Sequence, residues 1–145
     1  MELTEHFTLD ELTITQHRGI DNTPNDRELY NLRKLAEHLE VIRSLLGNKP
    51  LLISSAFRCQ NLNRAIGSKD SSAHVLGLAA DFICPKFGTV EEVFELLRRT
   101  QELKFDQLIL EFVNGKKWIH FGLREDEKDY RRQSLLIDHN GTRVV

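Results

Sequence analysis

Apolar residues recur at three- and four-residue steps through Leu29, Leu32, Leu35, Leu39, Ile42 and Leu46, the period of one buried helix face. Gly47 follows where a left-handed residue commonly closes a helix. Just ahead of the run stands Asn25, with Glu28 three residues on, a pair whose side chains can satisfy each other's backbone donors. Thr8 with Glu11 and Thr89 with Glu92 repeat the device. The pattern therefore predicts three helix starts, with the middle one opening a long helix that forms the spine of the core. The third, Thr89 to Arg99, has Val93, Phe94, Leu96 and Leu97 as its apolar side.

After Lys49-Pro50 the helical period is lost. Leu51-Leu52-Ile53 is a short apolar run behind a proline, suited to a buried strand that Ser54 and Ser55 end. Gln60 to Ile66 predicts a short helix, and Gly67 to Ser71 a polar turn of the kind that surrounds functional sites. Leu78 to Ile83 reads as a strand. Leu108 to Phe112 and Lys117 to Phe121 are two more, joined through Asn114-Gly115, whose residues tolerate the positive φ of a two-residue hairpin turn. That loop sets Val113 opposite Lys116, Glu111 opposite Trp118 and Ile109 opposite His120. Because side chains alternate faces, Glu111, Trp118 and His120 should share one face, with Glu111 and His120 on a diagonal of about 7–8 Å. Uneven interleaving of helices and strands favours an α+β class, a central antiparallel sheet with flanking helices.

Composition narrows the picture. A chain of 145 residues suits a single small domain. Its 20 basic and 22 acidic side chains leave a formal charge of −2, without the positive footprint that phosphate-backbone binding requires, so nucleic acid is not expected as a partner. No apolar run approaches the roughly 20 residues of a membrane span. The N-terminus carries acids where a secretory leader has Lys or Arg, and synthesis in a cytoplasm without a signal peptide is the expectation. Cys59 and Cys84 are too few for a disulfide framework and read as reduced thiols. The mixed-charge stretch from Arg124, REDEKDYRRQ, reads as a solvated surface, and oligomeric state leaves no trace in the sequence.

The chemistry concentrates in Ser72-Ala-His74-Val-Leu-Gly77-Leu-Ala-Ala-Asp81 and in Trp118-Ile-His120. His74, Asp81 and His120 supply three donors of the kinds that zinc takes, leaving a fourth position for water as in catalytic rather than structural sites. A hydrolytic site also needs a carboxylate to accept and return a proton. Glu111 is the candidate through the hairpin register, with Asp106 as its competitor. Arg58, just beyond the first strand, offers bidentate donors for an oxyanion or a substrate carboxylate. Trp118 suits a wall of the site. His6, His17, His38 and His139 have no such company and read as surface or packing residues.

These residues carry a resemblance. The pattern S-x-H-x-x-G-x-A-x-D from Ser72 to Asp81, the Ser54-Ser-Ala-Phe-Arg58 segment and Trp118-Ile-His120 resemble the zinc D-alanyl-D-alanine metallopeptidases, which share a fold with lysostaphin-type enzymes and the Hedgehog signalling domain. His6 to Pro24 with the leucine helix is similar to a phage and prophage branch of that family, so the resemblance covers about residues 5 to 123. It implies a small α+β domain, one zinc ion and hydrolysis of peptidoglycan stem peptides. It also implies that His74, Asp81 and His120 are the metal ligands, that Arg58 stabilises substrate or transition state, and that Ser72 contacts substrate. Many relatives carry the catalytic acid three residues before the last histidine. Here that residue is Lys117, which leaves the role to Glu111. A D-Ala-D-Ala carboxypeptidase, an endopeptidase of the endolysin or tail-lysin kind, and an inactive zinc-stabilised wall-binding or phage assembly module are the three functions compatible with this pattern. Action on the cell wall after phage-type release, or from a virion, is the matching location.

Overall fold

The long helix α2 (Asp26–Leu45) begins as predicted. The Asn25 carboxamide accepts the Glu28 N–H, and the Glu28 carboxylate accepts the Asn25 N–H, both at 2.8 Å. The same reciprocal cap opens α4 (Val90–Arg99) between Thr89 and Glu92. At α1 (Leu9–Leu12) only half of it forms. Thr8 accepts the Glu11 N–H, nothing returns from the Glu11 side chain, and the helix lasts one turn.

The computed structural model describes residues 1–145. Its remaining α-helix and its strands are β1 (Leu52–Ser55), α3 (Gln60–Ala65), β2 (Ala79–Ile83), β3 (Gln107–Val113), β4 (Lys116–Gly122), β5 (Gln133–Asp138) and β6 (Gly141–Val144). The strands form one sheet in the order β1-β2-β4-β3-β5-β6, antiparallel throughout except between β3 and β5. This is the expected α+β class. The β3–β4 hairpin has the predicted register, Val113 opposite Lys116, Glu111 opposite Trp118 and Ile109 opposite His120.

Alternation along the strands divides the sheet into two faces. Leu108, Leu110, Ile119 and Phe121 point to the core, where they pack with Leu35 and Leu39 of α2 and Val93 and Leu97 of α4. The opposite face carries Asp81, His120, Ile109 and Leu135 as one row across four strands. No helix is long and apolar enough to cross a membrane, and Cys59 and Cys84 are free.

Two expectations need correction. The run behind Pro50 is an edge strand rather than a buried one: Leu51 is buried but precedes it, Leu52 is exposed, and Ser54 and Ser55 lie inside it, with a register shift between Ile53 and Ser55. The chain beyond Arg124 is only partly a solvated surface. Residues 124–129 are exposed, but the segment then crosses to the far side of β3 and adds β5 and β6 to the sheet, with Leu135 buried. Three arginines within the charged run fasten the crossing. Arg131 donates to both carboxylate oxygens of buried Asp106 from its backbone and guanidinium, and Arg124 adds a further bond. Arg132 donates to the Arg98, Thr100 and Leu103 carbonyls at the end of α4 and just beyond it. Charge composition suggested water because it does not show whether a charge will find a buried partner.

Gly77 joins α2 to the site side of the molecule. Its φ is +73°, and a Cβ there would lie 2.8 Å from the Glu28 carbonyl oxygen and 3.1 Å from Leu32 Cγ. Gly77→Ala is therefore expected to cost about 2–4 kcal/mol, read as a lower midpoint in denaturant titration. Burial opposes the charge on Asp106, but its bonds to Arg131 and Arg124 prevail and hold its carboxyl below the usual range. A depressed carboxylate pKa adds stability above the unfolded value of about 3.9 and loses it as pH falls through the folded value. Asp106→Ala should thus destabilise the protein by about 2 kcal/mol at pH 7, and the gap from the parent protein should narrow as pH falls below the unfolded value of about 3.9.

Candidate metal centre and active site

The segment from Ser72 to Asp81 is built to aim two side chains at one point. Ser72 starts a 3-10 turn over Ala73–Leu76 and accepts the His74 N–H at 3.3 Å. Gly77 closes the turn in the left-handed conformation and lets the chain enter β2, where Asp81 projects from the site face. Pairing of β2 with β4 sets Asp81 directly opposite His120. Gly122, two residues beyond on the same face, leaves room for that imidazole, since a Cβ there would stand 3.3 Å from His120 Nε2.

The donor atoms converge. Asp81 Oδ1 lies 3.3 Å from His74 Nε2 and 2.9 Å from His120 Nδ1, and the three ligand atoms all lie within 4.8 Å of one another. A tetrahedral metal with bonds of about 2.1 Å separates its donors by about 3.4 Å, so this set fits a divalent ion. The histidine tautomer fits as well. His74 Nδ1 donates to the Ala56 carbonyl at 2.6 Å, which leaves Nε2 with its lone pair directed at Asp81 and fixes the ring as carbonyl partners of metal-binding histidines do.

The electrostatics differ between the two histidines. Burial pushes the His74 pKa down and keeps the ring neutral, the state a metal requires. Burial also opposes the charges on Asp81 and His120, yet their mutual contact outweighs it. The Asp81 carboxyl is held well below its ordinary range with help from His74, and the His120 pKa is raised by its bond to Asp81. The result is an ionised carboxylate between two imidazoles.

Glu111, Trp118 and Arg58 surround these donors. Glu111 stands half-buried opposite Trp118 on the site face. Burial, and then the nearby charge of Asp81, raise its pKa, which makes it a more basic carboxylate than an exposed glutamate and suits it to proton transfer. The Trp118 indole N–H is buried without a well-formed hydrogen bond. Arg58 Nη2 donates to the Ser72 hydroxyl at 3.3 Å, while its Nε is buried without a partner. Burial lowers the Arg58 pKa, partly offset by the fields of Asp81 and Glu111. A desolvated guanidinium with a free donor is suited to receive an oxyanion or carboxylate.

Asp106 does not join the group. Its oxygens are committed to Arg131 and Arg124, which leaves Glu111 as the carboxylate beside the donors. Lys117, three residues before His120, extends away from the site face and pairs with Glu91 of α4 at 2.9 Å. The remaining histidines stand apart, with His6 on Glu40 and His38 bonded to the Lys34 carbonyl one turn back.

Three asparagines escaped the sequence reading. Asn22 donates to the Thr13 and Phe57 carbonyls and accepts the Cys59 N–H, gripping the chain on both sides of Arg58. Asn31 of α2 donates to the Leu76 carbonyl in the turn that carries His74. Asn63 donates to the Lys69 carbonyl and shapes the loop before Ser72. Asn31 lay in view as a polar residue beside the apolar stripe of α2; Asn22 and Asn63 gave no local signal, because their partners are backbone groups outside any local pattern.

No curated protein matches the chain. A family model, Peptidase M15, matches residues 5–122, a span that runs from the segment before α1 to the end of β4 and includes His74, Asp81 and His120, the group that could hold a metal, together with Arg58, Ser72, Glu111 and Trp118. By that match the chain belongs to the peptidase M15 family.

Proposed function

We propose that the protein is a zinc peptidase of the bacterial cell wall that removes the terminal residue from D-Ala-D-Ala ends of peptidoglycan stems. The observation that carries the reading is the convergence of His74 Nε2, Asp81 Oδ1 and His120 Nδ1 beside a carboxylate of raised pKa, Glu111, in a chain of the M15 peptidase family. The chemistry that zinc supplies in such a donor set is Lewis acidity and a nucleophilic water at neutral pH.

The residues of the chain divide the remaining work. Glu111 takes a proton from the attacking water and hands it to the amide nitrogen as the C–N bond breaks, so that the leaving group departs as a neutral amine. Arg58, held against Ser72 with one donor free, binds the carboxylate of the terminal residue and so positions the bond to be cut. The Ser72 hydroxyl fixes the approach of Arg58 and faces the substrate. Trp118 closes the wall next to Glu111 and limits access of bulk water, which strengthens the electrostatic interactions inside.

Digestion of intact and solubilised peptidoglycan, with products identified by mass spectrometry, tests the reading. The expected product is free D-alanine, lost on chelation and recovered with zinc. Shortened or unlinked stems would instead identify an endopeptidase, and absence of cleavage by metal-loaded protein would identify a binding module. Glu111→Gln should keep its metal content and lower turnover by about 10²–10⁴-fold. Glu111 acts as a base only when ionised, so activity should fall as pH drops through its raised pKa. The acid limb is expected above the value of about 4.3 of an ordinary glutamate, as pH profiles of kcat/KM would show.

A further inference from the structure

An open groove of about 950 Å³ runs from Glu111 and His120 across β3 to Leu135 and Ile137 of β5 and Thr142 of β6. Its far floor is made by strands that lie beyond residue 122, the end of the M15 match. The ladder registers place these side chains in two rows, His120, Ile109 and Leu135 in one and Trp118, Glu111, Ile137 and Thr142 in the other. Ile109 and Leu135 are 6% and 7% exposed, yet neither belongs to the hydrophobic core cluster on the opposite face. They are apolar side chains facing the groove rather than the helices. Arg58, by contrast, follows β1 at the other end of the strand order and does not itself line the groove, which it meets through its bond to Ser72.

We propose that the β5–β6 hairpin is an added substrate shelf that binds the part of the peptide on the N-terminal side of the bond to be cut. The inference rests on the peptidase reading above and adds direction and length to it. With the terminal carboxylate on Arg58, the aliphatic path open to the acyl side of the substrate runs over Ile109 towards Leu135, Ile137 and Thr142, while the other walls of the groove are mostly polar and charged. Three strand spacings separate β4 from β6, about 14 Å, which is the reach of about four extended residues. An aliphatic floor favours small aliphatic side chains such as those of alanine. Lys69 lies on the rim of the groove and is in no ion pair of the structure, so a carboxylate-bearing side chain in the same peptide has a cation within the groove.

The test uses peptides ending in D-Ala-D-Ala and lengthened from two to six residues at the N-terminal side. Turnover is measured with the parent protein. Binding is measured with the zinc-loaded Glu111→Gln variant, through fluorescence of Trp118, the one tryptophan of the chain. KM and the dissociation constant should each fall by at least roughly tenfold between two and five residues and level off beyond that. Ile137→Asp and Thr142→Lys should remove this gain and leave dipeptide turnover unchanged. Length-independent binding and turnover in the parent protein would overturn the shelf while leaving the peptidase reading intact. Gains that persist in both variants would overturn it too. Length-dependent binding without cleavage of any peptide would refute the peptidase reading and sustain the shelf.

Discussion

The pairing of Asp81 with His120 across the β2–β4 ladder is the constraint on which the rest of the site depends. It sets a carboxylate oxygen 2.9 Å from an imidazole nitrogen through backbone hydrogen bonds that do not involve either side chain. A one-residue slip in that register would place the two groups on opposite faces of the sheet. The core residues beside them, Phe82 on β2 and Ile119 and Phe121 on β4, are fully buried on the helix-covered face, and those of the strand that slipped would be forced to the site side. Burial of three large apolar side chains thus holds two polar ones in position, and the cost of assembling a charged site is met by core packing rather than within the site.

His74 arrives by a different route. It stands on a short 3-10 turn that has little stability of its own, and its position is set from outside. The Ala56 carbonyl holds its ring, Asn31 of α2 holds the Leu76 carbonyl, and Gly77 permits close approach to Glu28 and Leu32. The long helix therefore serves the site directly as well as through the core. Arg58 is supported in the same manner, with Asn22 bonding the chain on both sides of it and the His74 carbonyl accepting its N–H. A preorganised group of this kind needs little rearrangement when substrate arrives.

Charge along the chain divides between structural and chemical use. Asp106 and Asp81 are both carboxylates with depressed pKa values, but the first faces two arginines and the second two histidines. Guanidinium groups stay protonated and form a permanent structural clamp, whereas an imidazole can give up its proton and offer a lone pair to a metal. Asp106 thereby secures the crossing to β5, and the added strands widen the site face instead of closing it.

Local rules account for much of this molecule. Helix caps at Asn25 and Thr89, the leucine stripe of α2 and the Asn114-Gly115 turn depend on neighbours within a few residues, and the structure follows them closely. Hairpin register also made the shared face of Glu111, Trp118 and His120 legible, because strand alternation is a rule of parity. What lay outside such rules was decided by tertiary contacts. The edge position of β1, the commitment of Asp106 to Arg131 and the return of a charged segment into the sheet join residues 25 or more positions apart. Composition alone could not separate an arginine bound for water from one bound for a buried carboxylate. Residue types and short spacings thus named the donors and half of the frame. The partners of Asn22, Asn31 and Asn63 were set only when the folded chain brought backbone carbonyls within hydrogen-bond reach.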